Sequence, residues 1–151
     1  MNQSADTLFA FFNEVGIVNQ LASNRFERAL PDGLTLSQFS VLNNFARLGG
    51  TRTPAQLANA FQVTRGAMTN TLKKLETRGA ITIDSDPEDG RGKIVRMTRS
   101  GLALRNRAIK SAMAELEPLT EFVDLTWMEQ VLPELRRLRA HLDRARDGEK
   151  A

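Results

Sequence analysis

Hydrogen-bond donors recur at helical spacing between residues 64 and 73 of this chain. Arg65, Thr69 and Lys73 are each four residues apart, and Asn70 lies toward the same side of a helix. Guanidinium, ammonium, hydroxyl and amide groups are the donors with which proteins contact DNA phosphates and base edges. The pattern alone is also typical of an ordinary amphipathic helix with a solvated polar face, so the neighbouring elements must distinguish the two interpretations.

Arg91 is a second candidate for contact with DNA. It lies in residues 85–92, a run rich in turn-forming Asp, Pro, Ser and Gly. An arginine on an exposed hairpin tip can enter a minor groove, whose narrow and negative form attracts guanidinium groups. We expect Asp89 to orient the Arg91 guanidinium by a charge-assisted hydrogen bond.

The chain lacks most of the residue types that usually carry out enzymatic catalysis. The chain has no Cys and no Tyr, and its one His is His141. We therefore predict no catalytic residue, no metal site, no cofactor and no thiol-based switch. His141 is interpreted as a surface or dimer-interface residue. Nearby Arg136, Arg137 and Arg139 are interpreted as a solvated or interfacial face, with a second DNA contact as the less favoured alternative.

Capping signals predict the helices that position these donors. Thr53 and Gln56 have the spacing of a capping box, with Pro54 at the first helical position. Thr64 then caps a longer helix, whose apolar residues recur at intervals of four and three and define a buried face. These apolar residues are Met68, Leu72 and Leu75.

The residues after Gly79 predict a hairpin. Residues 80–84 and 93–97 have the β-branched content of two strands, and residues 85–92 form the turn between them. Thr35 and Gln38 form another capping box, which begins a helix at the start of the lobe. Three helices followed by a hairpin are the elements of a winged helix-turn-helix, with Arg91 on the wing, and this order indicates DNA binding.

The two ends of the chain predict further helices. Residues 5–30 form one, with apolar side chains on more than one side. Thr98 caps another, which should weaken near Pro118, and a capping box at residues 126–129 begins the last helix. Pro133 either kinks that helix or marks its true start, and we favour the kink because the capping box lies upstream.

This apolar surface exceeds what one winged-helix lobe can cover, so we predict a homodimer, with an extended monomeric core as the alternative. The predicted fold is mainly α with a small β-hairpin wing. Residues 1–151 form a single domain, in which 35–98 are the DNA-binding lobe and 5–30 and 99–147 the helical dimerisation region.

Charge is concentrated on the predicted lobe. Residues 60–105 contain nine Lys and Arg against five Asp and Glu, whereas the rest of the chain has twelve against thirteen. This distribution is the electrostatic footprint expected of a DNA-binding surface. No apolar run is long enough to cross a membrane and no signal peptide is recognisable, so we expect a cytoplasmic protein without membrane contact.

Several motifs are linked along the chain: Leu57-Ala58, the run from Val63 to Thr69, Leu75-Glu76, Arg78-Gly79, Asp86-Pro87, Asp89, Arg91 and the run from Thr98 to Gly101. Together they resemble the MarR family of bacterial transcription regulators, and the resemblance extends over almost the whole chain. The resemblance implies a homodimeric winged-helix protein, often a repressor that a small ligand or an oxidant releases. It also implies recognition-helix contacts from Arg65, Thr69, Asn70 and Lys73, a wing contact from Arg91, and flanking dimerisation helices.

The chain departs from the family pattern at three positions. Gln62 stands where the family commonly has Gly in the turn, so a residue with a Cβ is expected in a left-handed conformation. Glu88 and Gly90 occupy wing positions that are often basic, which leaves Arg91 with more of the contact.

The predicted function is sequence-specific binding of double-stranded DNA at a near-palindromic operator, with a small-molecule effector whose contacts the sequence leaves unassigned. The DNA-binding residues would be Thr64, Arg65, Thr69, Asn70, Lys73 and Arg91. A winged-helix module for protein association, or a regulator of another family such as PadR, is the alternative.

Overall fold

The computed structural model describes residues 2–148. Its helices are α1 (Gln3–Ala29), α2 (Leu36–Leu48), α3 (Pro54–Ala60), α4 (Arg65–Thr77), α5 (Arg99–Leu116) and α6 (Leu125–Gly148). Strands β1 (Ile81–Ser85) and β2 (Lys93–Met97) lie between α4 and α5, and short 3-10 turns cover Pro31–Gly33 and Glu117–Glu121. The predicted fold class, mainly helical with a small hairpin, is confirmed.

The described residues divide into two compact units, one ending at Glu115 and the other beginning at Leu116. The first unit contains α1 to α4, the hairpin and nearly all of α5. The second unit contains the turn Glu117–Glu121 and α6.

The core of the first unit is built from apolar side chains of α2, α3, α4 and the hairpin. Leu42, Leu57 and Leu75 have no exposed surface, and Leu72 is 1% exposed. The predicted buried face of α4 is confirmed, since Met68, Leu72 and Leu75 are the buried residues of that helix. Burial of this face turns the opposite side of α4 toward solvent.

The hairpin aligns its apolar residues across the two strands. Ile81 pairs with Met97 and Ile83 with Val95 in antiparallel register. Arg52, between α2 and α3, adds a short bridge to β2: its N–H donates to the Val95 carbonyl at 3.2 Å, and the Val95 N–H donates back at 2.8 Å. This bridge ties the start of α3 to the hairpin, and we did not predict it.

Three predicted helix caps are present. Thr53 and Gln56 form the reciprocal capping box, with the Thr53 N–H donating to Gln56 Oε1 at 2.8 Å and the Gln56 N–H to Thr53 Oγ1 at 3.1 Å. Thr64 Oγ1 accepts the Ala67 N–H at 3.1 Å. Thr98 Oγ1 accepts the Gly101 N–H at 3.0 Å, and α5 ends before Pro118 as expected.

Two capping predictions were wrong in part. Thr35 caps α2 by accepting the Gln38 N–H at 3.3 Å, but the Gln38 side chain is buried and does not return the bond. The cap of the last helix lies two residues earlier than predicted, because Asp124 Oδ1 accepts the Thr126 N–H at 2.9 Å. An Asp immediately upstream of the helix replaces Thr126 as the cap. The helix then continues through Pro133, which is therefore not its start.

Gln62 has the left-handed backbone conformation expected at its position, with φ of 52°. A side chain in this region costs on the order of 1 kcal/mol relative to Gly. The Val63 N–H donates to the Ala58 carbonyl at 3.0 Å, so the turn between α3 and α4 closes despite that cost.

The start of α5 packs directly against the residues after α4. Thr98 Oγ1 donates to the Gly79 carbonyl at 2.6 Å, and the Thr98 N–H donates to the Ala80 carbonyl at 3.1 Å. A Cβ on Gly101 would overlap the Ala80 carbonyl oxygen. Only a residue without a side chain allows this close approach of helix and backbone.

Gly101→Ala should therefore lower the free energy of unfolding by about 1–3 kcal/mol, as overpacking does. Gly66→Ala is the matched control, because open space surrounds that helical glycine. The control should raise stability by roughly 0.5–1 kcal/mol through helix propensity. Urea denaturation measures the free energy of unfolding of both variants. Equal changes in the two variants would contradict the close approach of Gly101 to the Ala80 carbonyl.

Candidate nucleic-acid interface

The solvent-facing side of α4 carries the predicted recognition residues. Arg65, Thr69, Asn70 and Lys73 are all exposed, as is the cap residue Thr64. These side chains are held outward because Met68, Leu72 and Leu75 fix the rotation of the helix.

Two of the predicted hydroxyl contacts are already engaged within α4. Thr64 Oγ1 accepts the Ala67 N–H at 3.1 Å, and Thr69 Oγ1 donates to the Arg65 carbonyl at 2.8 Å. A hydroxyl has a single proton, so Thr69 presents acceptor lone pairs while that bond persists. Arg65, with several guanidinium N–H groups, is the stronger donor at this end of the helix.

The wing loop is shaped by its two aspartates. Asp86 Oδ1 accepts the Glu88 N–H at 2.9 Å, and Asp89 Oδ1 accepts the Arg91 N–H at 3.1 Å. The expectation that Asp89 pairs with the Arg91 guanidinium was wrong, since its carboxylate binds the backbone two residues on. Such turns are typical of Asp. Arg91 itself is exposed.

One cleft joins the recognition helix to the wing. It brings together Arg65 and Thr69 of α4 and Arg91 of the wing. The other residues of this lining are Thr53, Pro54, Ala55, Gly92 and Lys93. Lys93 was missed by sequence analysis, although its place beside Arg91 on an exposed strand end is a signal that could have found it.

A second cleft lies between α4 and the first turn of α2. It is lined by Gln38, Asn70, Lys73, Lys74, Thr77 and Arg78. The predicted residues therefore do not share one cleft: Asn70 and Lys73 lie here, and Thr64 lines neither cleft. Gln38, Lys74 and Arg78 were not among the predicted site residues.

Both clefts are electropositive. Arg65, Arg91 and Lys93 line the first, which we call the wing cleft, and Lys73, Lys74 and Arg78 line the second, the α2 cleft. Among the described residues, neither lining includes an Asp or Glu. Arg78 is held in place, because its guanidinium donates to the Asp32 and Gly33 carbonyls at 3.0 and 3.2 Å.

These features define a winged helix-turn-helix protein, with α3 and α4 as the two helices, the hairpin as the wing and cations on the face they share. A MarR family model matches residues 32–92. The multiple antibiotic resistance protein MarR of Salmonella typhimurium is 33% identical over 101 residues, which cover 62% of this chain and 69% of that protein. The chain belongs to the MarR family of transcriptional regulators.

Solved structures agree with this assignment. The apo form of MarR from Escherichia coli has a TM-score of 0.72 at 25% identity, covering 83% of this chain and 94% of that one. The transcriptional regulator BldR from Sulfolobus solfataricus has a TM-score of 0.77 at 23% identity and covers 93% and 99%, which shows the same fold. The family assignment replaces the PadR alternative.

Two kinds of feature are absent from residues 2–148. No helix in that range combines the length and apolar composition needed to span a bilayer. Within the same range, His, Asp and Glu side chains form no group of three that could hold a metal ion. MarR family proteins are transcription regulators rather than enzymes.

Proposed function

We propose that this MarR family regulator is a homodimeric repressor that binds a near-palindromic operator and is released by a small-molecule effector. The residues that would contact double-stranded DNA are Thr64, Arg65, Thr69, Asn70, Lys73 and Arg91. The family assignment supports DNA-linked regulation. The linings of the two clefts support Arg65, Thr69, Asn70, Lys73 and Arg91, and Thr64 is included because it is exposed at the start of α4.

The observation that carries the proposal is the wing cleft. It places the Arg65 side of α4 and the Arg91 side of the hairpin on one exposed, cationic surface. With α4 in a major groove, a hairpin on the same surface reaches the backbone and the adjacent minor groove. Two successive grooves could thus be contacted by one lobe.

Exposed apolar side chains at both ends of the chain support a dimer. On α1, Phe9 is 74% exposed and Leu21 is 63% exposed, and this helix has no buried residue. On α6, Trp127 is 56% exposed and Leu135 is 37% exposed. Apolar surface on this scale is expected to be covered by association with another chain.

We propose that residues 1–151 act as a single domain, with 35–98 as the DNA-binding lobe and 5–30 and 99–147 as the dimerisation region. Two lobes related by a two-fold axis would read two half-sites, so the operator would be near-palindromic. The positions of the effector contacts are left unassigned.

Arg91→Ala should weaken operator binding by roughly 1–3 kcal/mol, because a groove-inserted guanidinium is lost. An operator selected from a random duplex pool, titrated by fluorescence anisotropy over a range of salt, provides the measurement. Lys110→Ala, an exposed position on α5, is the matched control and should bind as the unmodified protein does. Absent or salt-insensitive duplex binding by the unmodified protein would instead favour a protein-association module.

Asn70→Ala should relax base preference more than it lowers affinity for random DNA. A carboxamide can read a base edge by paired hydrogen bonds, and that contact is sequence-dependent, whereas phosphate contacts are not. Comparison of selected and random duplexes at one salt concentration gives the ratio. If both affinities fall equally, Asn70 contacts only the backbone.

Leu135→Glu should convert the dimer into monomers or aggregates, because it places a charge among the exposed apolar residues of α6. Light scattering coupled to size exclusion measures the molar mass. Gln130→Glu adds the same charge at another exposed position of α6 and should leave the mass unchanged. A dimer that persists in Leu135→Glu would remove this position from the interface.

A further inference from the structure

The turn between α1 and α2, at residues 31–33, has an uncommon backbone conformation. Asp32 and Gly33 both have a positive φ, of 57° and 65°. This left-handed conformation is unfavourable for a residue with a Cβ, and Asp is among the few residue types that adopt it. Leu30 and Leu34, on either side of the turn, are only 8% and 3% exposed, so both ends of the turn are anchored in the core.

The turn is fastened to the end of α4 by Arg78, the C-cap residue of that helix. Arg78 Nη1 donates to the Asp32 carbonyl at 3.0 Å, and Nη2 donates to the Gly33 carbonyl at 3.2 Å. Consecutive carbonyls point the same way in a helical conformation of either hand, so the left-handed turn presents two acceptors to one guanidinium. The planar fork of arginine suits such a pair, whereas a lysine ammonium is a single point charge.

The same turn also holds the end of α1. Glu27 Oε1 accepts the Leu36 N–H at 2.9 Å, which ties the last turn of α1 to the first residue of α2. The Phe26 ring packs against the Phe39 ring of α2, with 4.8 Å between the ring centroids. Because α1 has no buried residue, these contacts at its last turn set its direction relative to the lobe.

We propose that the turn at residues 31–33 and Arg78 form a bracket that fixes the angle between α4 and α1, with Arg78 as its positioning residue. In the proposed dimer, α1 belongs to the dimerisation region and α4 enters a major groove. The angle between these helices therefore sets the distance between the two copies of α4, and with it the spacing of the half-sites, which is about 34–36 Å for one turn of DNA. This inference rests on the proposed function.

A direct contact with a DNA phosphate is the alternative role for Arg78, because this residue also lines the α2 cleft. Loss of a phosphate contact lowers the slope of log affinity against log salt by about one, and it weakens binding to all duplexes equally. Loss of a positioning residue instead changes the ratio of affinities between duplexes that differ only in half-site spacing. The two roles therefore give different results.

Arg78→Lys tests the bracket, because it keeps the charge and removes the fork. Fluorescence anisotropy compares the selected operator with duplexes that have one base pair inserted or deleted between the half-sites. The unmodified protein should lose affinity by about tenfold on either change, since each shifts one half-site along and around the helix axis. In Arg78→Lys this spacing penalty should fall to about threefold, with an unchanged salt slope. Arg47→Lys, at an exposed arginine in the last turn of α2, is the matched control and should keep the full penalty.

Gly33→Ala alters the bracket from the side of the turn and leaves every cation in place. A Cβ is strained at a φ of 65°, and it would lie 3.9 Å from Arg78 Nη2. This variant should relax the spacing penalty as Arg78→Lys does. The double variant should relax it no further than the stronger single variant, because both substitutions act on one contact. Gly50→Ala, at another left-handed glycine with a φ of 70°, is the matched control and should keep the penalty.

The outcomes separate the bracket from the proposed function. A full spacing penalty in both Arg78→Lys and Gly33→Ala would overturn the bracket and leave the Arg91-dependent DNA binding standing. Weakening of every duplex by one factor in Arg78→Lys would overturn it as well. If the unmodified protein binds a single half-site as tightly as the whole operator, the proposed dimeric recognition fails and the bracket fails with it. A relaxed penalty in both variants, with the salt slope unchanged, supports the bracket.

Discussion

The packing of the apolar face of α4 is the interaction on which the rest of the lobe depends. Met68, Leu72 and Leu75 are 3%, 1% and 0% exposed, and their spacing fixes the rotation of the helix about its axis. That rotation keeps Arg65 and Lys73 in solvent. Any other rotation would bury a cation without a partner. The free energy needed to desolvate that charge would far exceed the free energy that the helix gains from packing. The core and the candidate DNA surface are therefore set by one periodic pattern.

The parts of the fold that could be predicted from sequence are those decided by neighbours along the chain. The caps at Thr53 and Thr64 depend on hydrogen bonds over three residues, so the sequence contains all of their determinants. The left-handed turn at Gln62 was expected instead from the resemblance to the MarR family, which commonly has Gly at this position. The wrong or missing predictions concern Gln38, Asp89, the Thr126 cap and the two clefts. The clefts and Gln38 depend on which distant elements become neighbours, whereas Asp89 and the Thr126 cap depend on which of two local hydrogen bonds forms.

In the wing, the residues that shape the loop differ from the residues that carry its positive charge. Asp86 and Asp89 use their carboxylates to bind backbone N–H groups of the loop, so these acidic residues build the turn. Their negative charge nevertheless opposes an approaching phosphate. Because Glu88 is exposed beside them, any attraction of the hairpin for DNA would rest on Arg91 and Lys93. In the proposed complex, a wing of this composition would enter the minor groove because of its defined loop shape more than because of its net charge.

Gln38 shows how a local capping rule can fail when the side chain is buried by tertiary packing. A completed capping box would fold its side chain back onto the helix N-terminus and satisfy one more N–H, for a gain of around 1 kcal/mol. That hydrogen bond is absent. The helix α2 is nevertheless held in place, because Val41, Leu42 and Phe45 are buried in the core with 2% exposure or less. Burial of the Gln38 side chain, which is 3% exposed, therefore decides its conformation over the local capping rule.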